Sequence, residues 1–161
     1  NSDLTVIILA RLRHEELLAK TREAGARIKL LTDGDVAGII ATAVPNASAD
    51  LYVGIGGAPE GVLAAAALRS TGGQMQGRLL FDDEVQKERA HKMGVKDLNK
   101  KYSLTDMASG DVMFAATVLT DGFMLDCFKH IHCKNHTHSI VMRAATGTVR
   151  TIRTEQHLLA K

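Results

Sequence analysis

Residues 51–73 read LYVGIGGAPEGVLAAAALRSTGG: a short apolar run, a knot of glycines, then an alanine-rich stretch. Leu51–Gly54 reads as a strand and Pro59–Arg69 as a helix, with Pro59 suited to its first turn. A glycine turn at a helix N-terminus gathers backbone N–H groups and a partial positive charge, so it favours an anion. Gly54, Gly56 and Gly57 stand roughly where a dinucleotide fingerprint would have its first glycines, but Pro59 replaces the third. Two readings stay open: a tight strand-to-helix turn in which Glu60 offsets the helix dipole, and a ligand site. Pro59 stiffens the backbone that carries Glu60, and a rigidly aimed carboxylate suits a hard divalent metal.

Outward from this stretch the same grammar repeats. Leu4–Leu9 is a continuous apolar, partly β-branched run, the pattern of a strand buried on both faces. His14–Ala24 follows as a helix stopped by Gly25, Ile28–Thr32 as a strand, and Asp33–Asp35 (DGD) leads into a short helix through Val44 that Pro45 ends. Strands alternating with helices predict right-handed crossovers and a largely parallel sheet, whose sites lie at the carboxyl ends of the strands. Arg11 and Arg13, Asp33 and Asp35, and the glycines of 54–57 then emerge on one edge.

Further on, Asp83–Met93 reads as a charged helix closed by Gly94, and a basic segment to about Leu104 reads as solvated surface. From Val112 the runs VMFAATVL, HSIVMR and TVRTIR are strands without intervening helices, with AATG at 144–147 as a hairpin turn. The expectation is an α/β chain with a mixed sheet and flanking helices, divided into an α/β unit over 1–110 and a β-rich segment over 111–161.

Composition sets the outer bounds. The 161 residues are 45% hydrophobic and 24% charged, with a net charge of +2, which is globular and too near neutral to imply nucleic acid or an anionic membrane as partner. No apolar stretch approaches the roughly 20 residues of a membrane helix, and the opening residues do not show the basic, apolar, small-residue pattern of a signal peptide. Cys127 and Cys133 are too few for a disulfide scaffold, so the expected compartment is the cytoplasm. The opening NSDLTVIILAR lacks methionine and enters a strand almost at once, as in a piece of a longer protein; processing or a cloning remnant gives the same start.

Each polar cluster has a plain reading beside the chemical one. Asp35 caps a helix, or with Asp33 accepts hydrogen bonds from adjacent sugar hydroxyls, Gly34 permitting close approach. Arg11 and Arg13 are surface charge, or guanidinium forks for phosphate oxygens. Together they describe a sugar phosphate site better than a nucleotide site, since the edges lack apolar or aromatic lining for adenine. His130, His132, His136 and His138 with Cys133 are zinc-type ligands, and a hairpin would set the four histidines on one face; the spacing matches no recognised zinc motif, and polar loop residues beside a strand are the commoner case. LTDG at 119–122, with Asp121, reads as an ordinary turn.

RLRHEEL, LTDGDVA, GIGGAPEGVLAAAALR, QGRLLF, ATVLTDG and HSIVMRAATGTVRTIRTEQH occur in an order that resembles the C-terminal half of the class II (GlpX-type) fructose-1,6-bisphosphatases, over essentially the whole chain from Leu4. The resemblance implies a layered sugar-phosphatase fold in two domains, and hydrolysis of the 1-phosphate of fructose 1,6-bisphosphate, a gluconeogenic step, with Mn2+ or Mg2+. It makes Glu60 a metal ligand, catalytic through the metal. It sets Arg11, Leu12 and Arg13 on phosphate, Asp33, Gly34 and Asp35 on the sugar, and the Gly57 backbone against the substrate. Leu12 stands where the family usually has proline. The N-terminal half, which in the family supplies most acidic metal ligands, is absent, so the isolated chain is expected to be inactive. The full-length protein is expected to be a homo-oligomer. Other readings are a dual fructose-1,6/sedoheptulose-1,7-bisphosphatase and, from a different class, a non-catalytic module that binds a sugar phosphate.

Overall fold

The computed structural model describes residues 3–44, 47–117, 129–131 and 134–157, with backbone alone for 129–131 and His157. Strand β1 (Thr5–Leu9) lies between β2 (Arg27–Leu31) and β3 (Leu51–Tyr52), parallel to both, in the order β2-β1-β3. Ile7 and Ile8 point to opposite faces of the strand and both are fully buried, which explains the unbroken apolar run. A single turn of 3-10 helix (Leu12–His14) and helix α1 (Glu15–Glu23) connect β1 to β2. Helix α2 (Asp35–Ile40) leads from β2 towards β3, and α3 (Ala58–Thr71) follows β3.

α3 explains its own alanines. Ala64 packs with Ile39 of α2, while Ala67 packs with Phe114, Ile140 and Met142 from the last third of the chain. A helix covered on several sides reads as apolar all round, and small side chains let its neighbours approach. Beyond it, β4 (Gln76–Gly77), α4 (Glu84–Lys92), β5 (Tyr102–Ser103) and α5 (Leu104–Met107) form the connection, with β4 and β5 paired as a short antiparallel ribbon. Asp83 caps α4 by accepting the Gln86 N–H at 2.7 Å. Arg69 of α3 donates to the carbonyls of Ala108 and Gly110 at 2.8 and 2.6 Å, tying the helix to the loop that follows α5.

β6 (Met113–Thr117), β7 (Lys129–Ile131), β8 (Lys134–Arg143) and β9 (Thr148–His157) make an antiparallel sheet in which β8 pairs with the other three. A 3-10 turn at Ala144–Thr146, ending at Gly147 with φ +59°, closes the β8–β9 hairpin at the expected AATG. The expected mixed sheet is corrected here: among the described residues the parallel and antiparallel strands belong to separate sheets. α2 and α3 lie between these sheets rather than flanking one. Antiparallel strands joined by hairpins satisfy one another's backbone groups, and a helix layer with apolar residues on both sides covers a face of each sheet. Among the described residues no helix is long and apolar enough to cross a membrane.

Candidate functional site

Because β1, β2 and β3 are parallel, their outgoing loops share one edge. Arg11 Nη1 donates to the Thr32 carbonyl at 2.8 Å and its Nη2 lies 3.6 Å from Asp33 Oδ1, joining the first loop to the second. Arg13 Nε donates to the Ile55 carbonyl at 2.9 Å, joining the first loop to the third. Leu12 between them is 86% exposed, so the turn presents it to solvent rather than to the core.

The second and third loops converge on a pair of carboxylates. Gly34 begins α2 at φ +82°, a backbone that residues with a Cβ rarely adopt, and this sets Asp35 as the first helical residue. Asp35 Oδ1 accepts the Val36 N–H at 2.9 Å, so it serves the helix start without standing at the N-cap itself. Glu60 is the third residue of α3, and its Oε2 accepts the Gly57 N–H at 2.9 Å, half of a capping box whose other half a glycine cannot supply. Gly57 N–H is thereby occupied, and its carbonyl accepts from Gly61 N–H at 3.1 Å. Gly56 separates the two acids: a Cβ there would stand 2.8 Å from Asp35 Oδ2 and 3.6 Å from Glu60 Oε2. Burial first, and then the neighbouring Glu60, push the Asp35 carboxyl up, with the Val36 N–H pulling the other way.

Two residues of this site were not singled out by the sequence. His14 is fully buried; its Nδ1 lies 2.9 Å from the Leu9 carbonyl and its Nε2 accepts the Ile55 N–H at 2.9 Å. An amide only donates, so Nε2 is the bare nitrogen and Nδ1 carries the hydrogen, an assignment made from the bonding. Tyr52 sits at the end of β3, its ring beside Gly38 and its hydroxyl beside Gly54. Burial, with the charges of Asp35 and Glu60, pushes its hydroxyl up to about 12, against the pull of Arg13. A tyrosine placed two residues before Gly54 was the available signal.

From Asp35 and residues 54–57 an open cleft of about 1480 Å³ runs along residues 71–80 to Tyr102 and Met107, with Arg78 on its wall. Arg11, Leu12, Arg13, Asp33, Gly34 and Glu60 lie outside that lining. Asp35 and Glu60 fit a hard divalent cation as oxygen donors, yet among the described residues no group of three or more potential metal ligands occurs, and such a cation takes about six oxygens. Two carboxylates alone do not complete such a shell.

Among the described residues of the histidine run, the register departs from an arrangement with all four histidines on one face. β7 pairs β8 with His130 opposite Asn135 and Lys129 opposite His136, so His130 is out of phase with His136 and His138 along the ladder. A hairpin shifted by one residue exchanges the faces of a strand. His136 Nδ1 lies 3.7 Å from Glu155 Oε1, and His138 is buried opposite Arg153. His132, Cys133, Cys127, Asp121 and Pro45 lie outside the described residues.

Residues 1–156 match the family described as bacterial fructose-1,6-bisphosphatase, glpX-encoded. A protein of Synechocystis sp. named D-fructose 1,6-bisphosphatase class 2/sedoheptulose 1,7-bisphosphatase is 37% identical over 165 residues, covering 94% of this chain and 48% of that protein. A Synechococcus sp. protein of the same name is 37% identical over 166 residues, covering 95% of this chain and 48% of its own length. The chain thus spans about half the length of the curated relatives it matches.

Proposed function

Because this chain belongs to the family of glpX-encoded bacterial fructose-1,6-bisphosphatases, we propose that it supplies the substrate half of a metal-dependent sugar-bisphosphate phosphatase. The reaction is hydrolysis of the 1-phosphate of fructose 1,6-bisphosphate in the cytoplasm. The observation that carries this reading is the edge itself: Glu60 is oriented by the Gly57 N–H beside Asp35, and the same turn is bonded to Arg13.

Glu60 would hold Mn2+ or Mg2+, completed by acidic residues of an upstream half in a two-domain, layered sugar-phosphatase architecture, with residues 1–110 and 111–161 as the units of this half. A divalent cation, when bound, supplies charge neutralisation at the phosphoryl oxygens and a water acidic enough to attack phosphorus. Arg11 and Arg13 present fixed guanidinium forks to a phosphate and so orient the substrate, the entropic part of the rate. Asp33 and Asp35 accept hydrogen bonds from sugar hydroxyls, with Gly34 leaving room for the ring. Glu60 fixes its metal and keeps the loop at Gly57 close to the substrate.

Glu60→Ala in the complete enzyme is expected to lower metal-stimulated phosphate release at least about 100-fold while leaving the folded fraction intact by circular dichroism. Metal-stimulated turnover surviving in that variant would overturn the reading in favour of a sugar-phosphate binding module. A dual fructose/sedoheptulose bisphosphatase is the second reading, favoured by the names of both cyanobacterial relatives. Assaying both sugars with the same enzyme separates the two.

A further inference from the structure

Ile55 is where two loops of the site meet. Its carbonyl accepts from Arg13 Nε and its N–H donates to His14 Nε2, each at 2.9 Å. The two partners are consecutive residues of the turn after β1, and His14 is in turn anchored to β1 through the Leu9 carbonyl. Ile55 itself is 40% exposed, so packing of its side chain does little to fix it. It stands between Gly54 and Gly56, the residues that restrict a backbone least. Gly57 and Glu60 follow directly. His14 has no exposed surface and both ring nitrogens are engaged within the protein, so it offers nothing to a substrate.

We propose that His14 is a positioning residue of this site. With Arg13 it clamps the two consecutive peptide groups that flank the Ile55 Cα, so that the arginine loop and the glycine loop move as one unit and an oxyanion on Arg13 stands in fixed relation to a cation on Glu60. The inference rests on the roles given above to Arg13 and Glu60. It predicts that loss of the Nε2 contact weakens metal use as well as phosphate use, because both contacts meet at the one residue Ile55.

Two amide side chains separate the two bonds of the ring. His14→Gln sets an amide oxygen near the place of Nε2 and keeps an acceptor for the Ile55 N–H. His14→Asn reaches only the place of Nδ1 and leaves that N–H without its acceptor. In the 161-residue chain, hydrogen exchange at the Ile55 amide is expected to quicken at least about tenfold in His14→Asn and to stay near wild type in His14→Gln, with the amides of β1 protected in both. The nitrogen spectrum of the wild-type imidazole is expected to show the hydrogen on Nδ1. In the complete enzyme, His14→Asn is expected to lose roughly 100-fold in kcat/KM for fructose 1,6-bisphosphate and to need about tenfold more Mn2+ for half-activation, with His14→Gln within about threefold of wild type.

Unchanged exchange at Ile55 in His14→Asn, or a hydrogen on Nε2 in the wild type, overturns the clamp. So does a loss of activity that follows the folded fraction with unaltered Mn2+ dependence. If His14→Asn does not fold, a folded His14→Gln that leaves Ile55 unprotected overturns it equally. Exchange and tautomer need no substrate, so an enzyme that hydrolyses no sugar bisphosphate would sink the proposed function while these two readouts still decide the clamp.

Discussion

The edge of the parallel sheet and the antiparallel sheet are held together by different means. At the edge, side chains bond to the backbone of other loops: Arg11 to Thr32, Arg13 to Ile55, and His14 to both Leu9 and Ile55. In the antiparallel sheet the β8–β9 ladder pairs backbone with backbone from Lys134 opposite His157 to Arg143 opposite Thr148. Its charged side chains pair at the surface, Lys134 with Glu155 at 3.2 Å and Arg143 with Asp111 at 2.6 Å. Exposed pairs of that kind add little stability. Polar side chains are drawn to the backbone where it leaves groups for them to bond, and a paired ladder leaves fewer than a loop does. His136 and His138 share one face of β8 through the strand's two-residue period.

The comparison breaks most visibly if the supporting sheet proves dispensable. Met142 is fully buried against Ala67 and Ile40, so Met142→Ala is expected to cost about 2–5 kcal/mol in denaturant unfolding. The activity of each folded molecule should remain unchanged; a drop in kcat/KM at full folding would mean that the sheet shapes the edge directly. A smaller effect tests the cleft's far wall, where Ser103 caps α5 with Asp106. The hydrogen bond from Lys100, and then those from Ser103, hold the Asp106 carboxyl well below the usual carboxylate range. A depressed folded value stabilises the fold at any pH above the ordinary aspartate value of about 3.9 and is lost as pH falls through the folded value. Asp106→Asn should therefore lower the unfolding temperature by roughly 1–3 °C at neutral pH and converge with wild type in strong acid, as melts across that range would show. The smallest expected effect is at His136, whose partner Glu155 is exposed. His136→Ala should leave metal-stimulated turnover within about twofold; a larger loss would give the histidine strand a share in the chemistry.

How much could be read beforehand follows from the range of the interactions. β1, α1 and α3 were legible because an apolar run or a helix bounded by glycine and proline is a local pattern, and parallel alternation alone put residues 11–13, 33–35 and 54–57 on one edge. Glu60 stood out through Pro59. Pairing partners were not legible: a strand's pattern states that it is buried but not by what, so two sheets read as one. The β4–β5 ribbon is too short to show a period. α2 ends at Ile40 rather than at Val44, with the Thr42 and Ala43 amides bonding back to Ile39 and Ile40 in tighter turns. His14 looked like the first residue of a charged helix; its burial depends on a loop more than forty positions away.

Tyr52 and Tyr102 carry one more consequence. The chain has two tyrosines and no tryptophan, and both tyrosines line the same cleft. Tyr52 stands near Asp35 and Glu60 on one wall, and Tyr102 is on the other, with Lys100 Nζ 5.0 Å from the centre of the Tyr102 ring. At an excitation wavelength that phenylalanine does not absorb, the ultraviolet emission of this polypeptide therefore originates from the walls of its cleft, an optical probe of occupancy that requires no label.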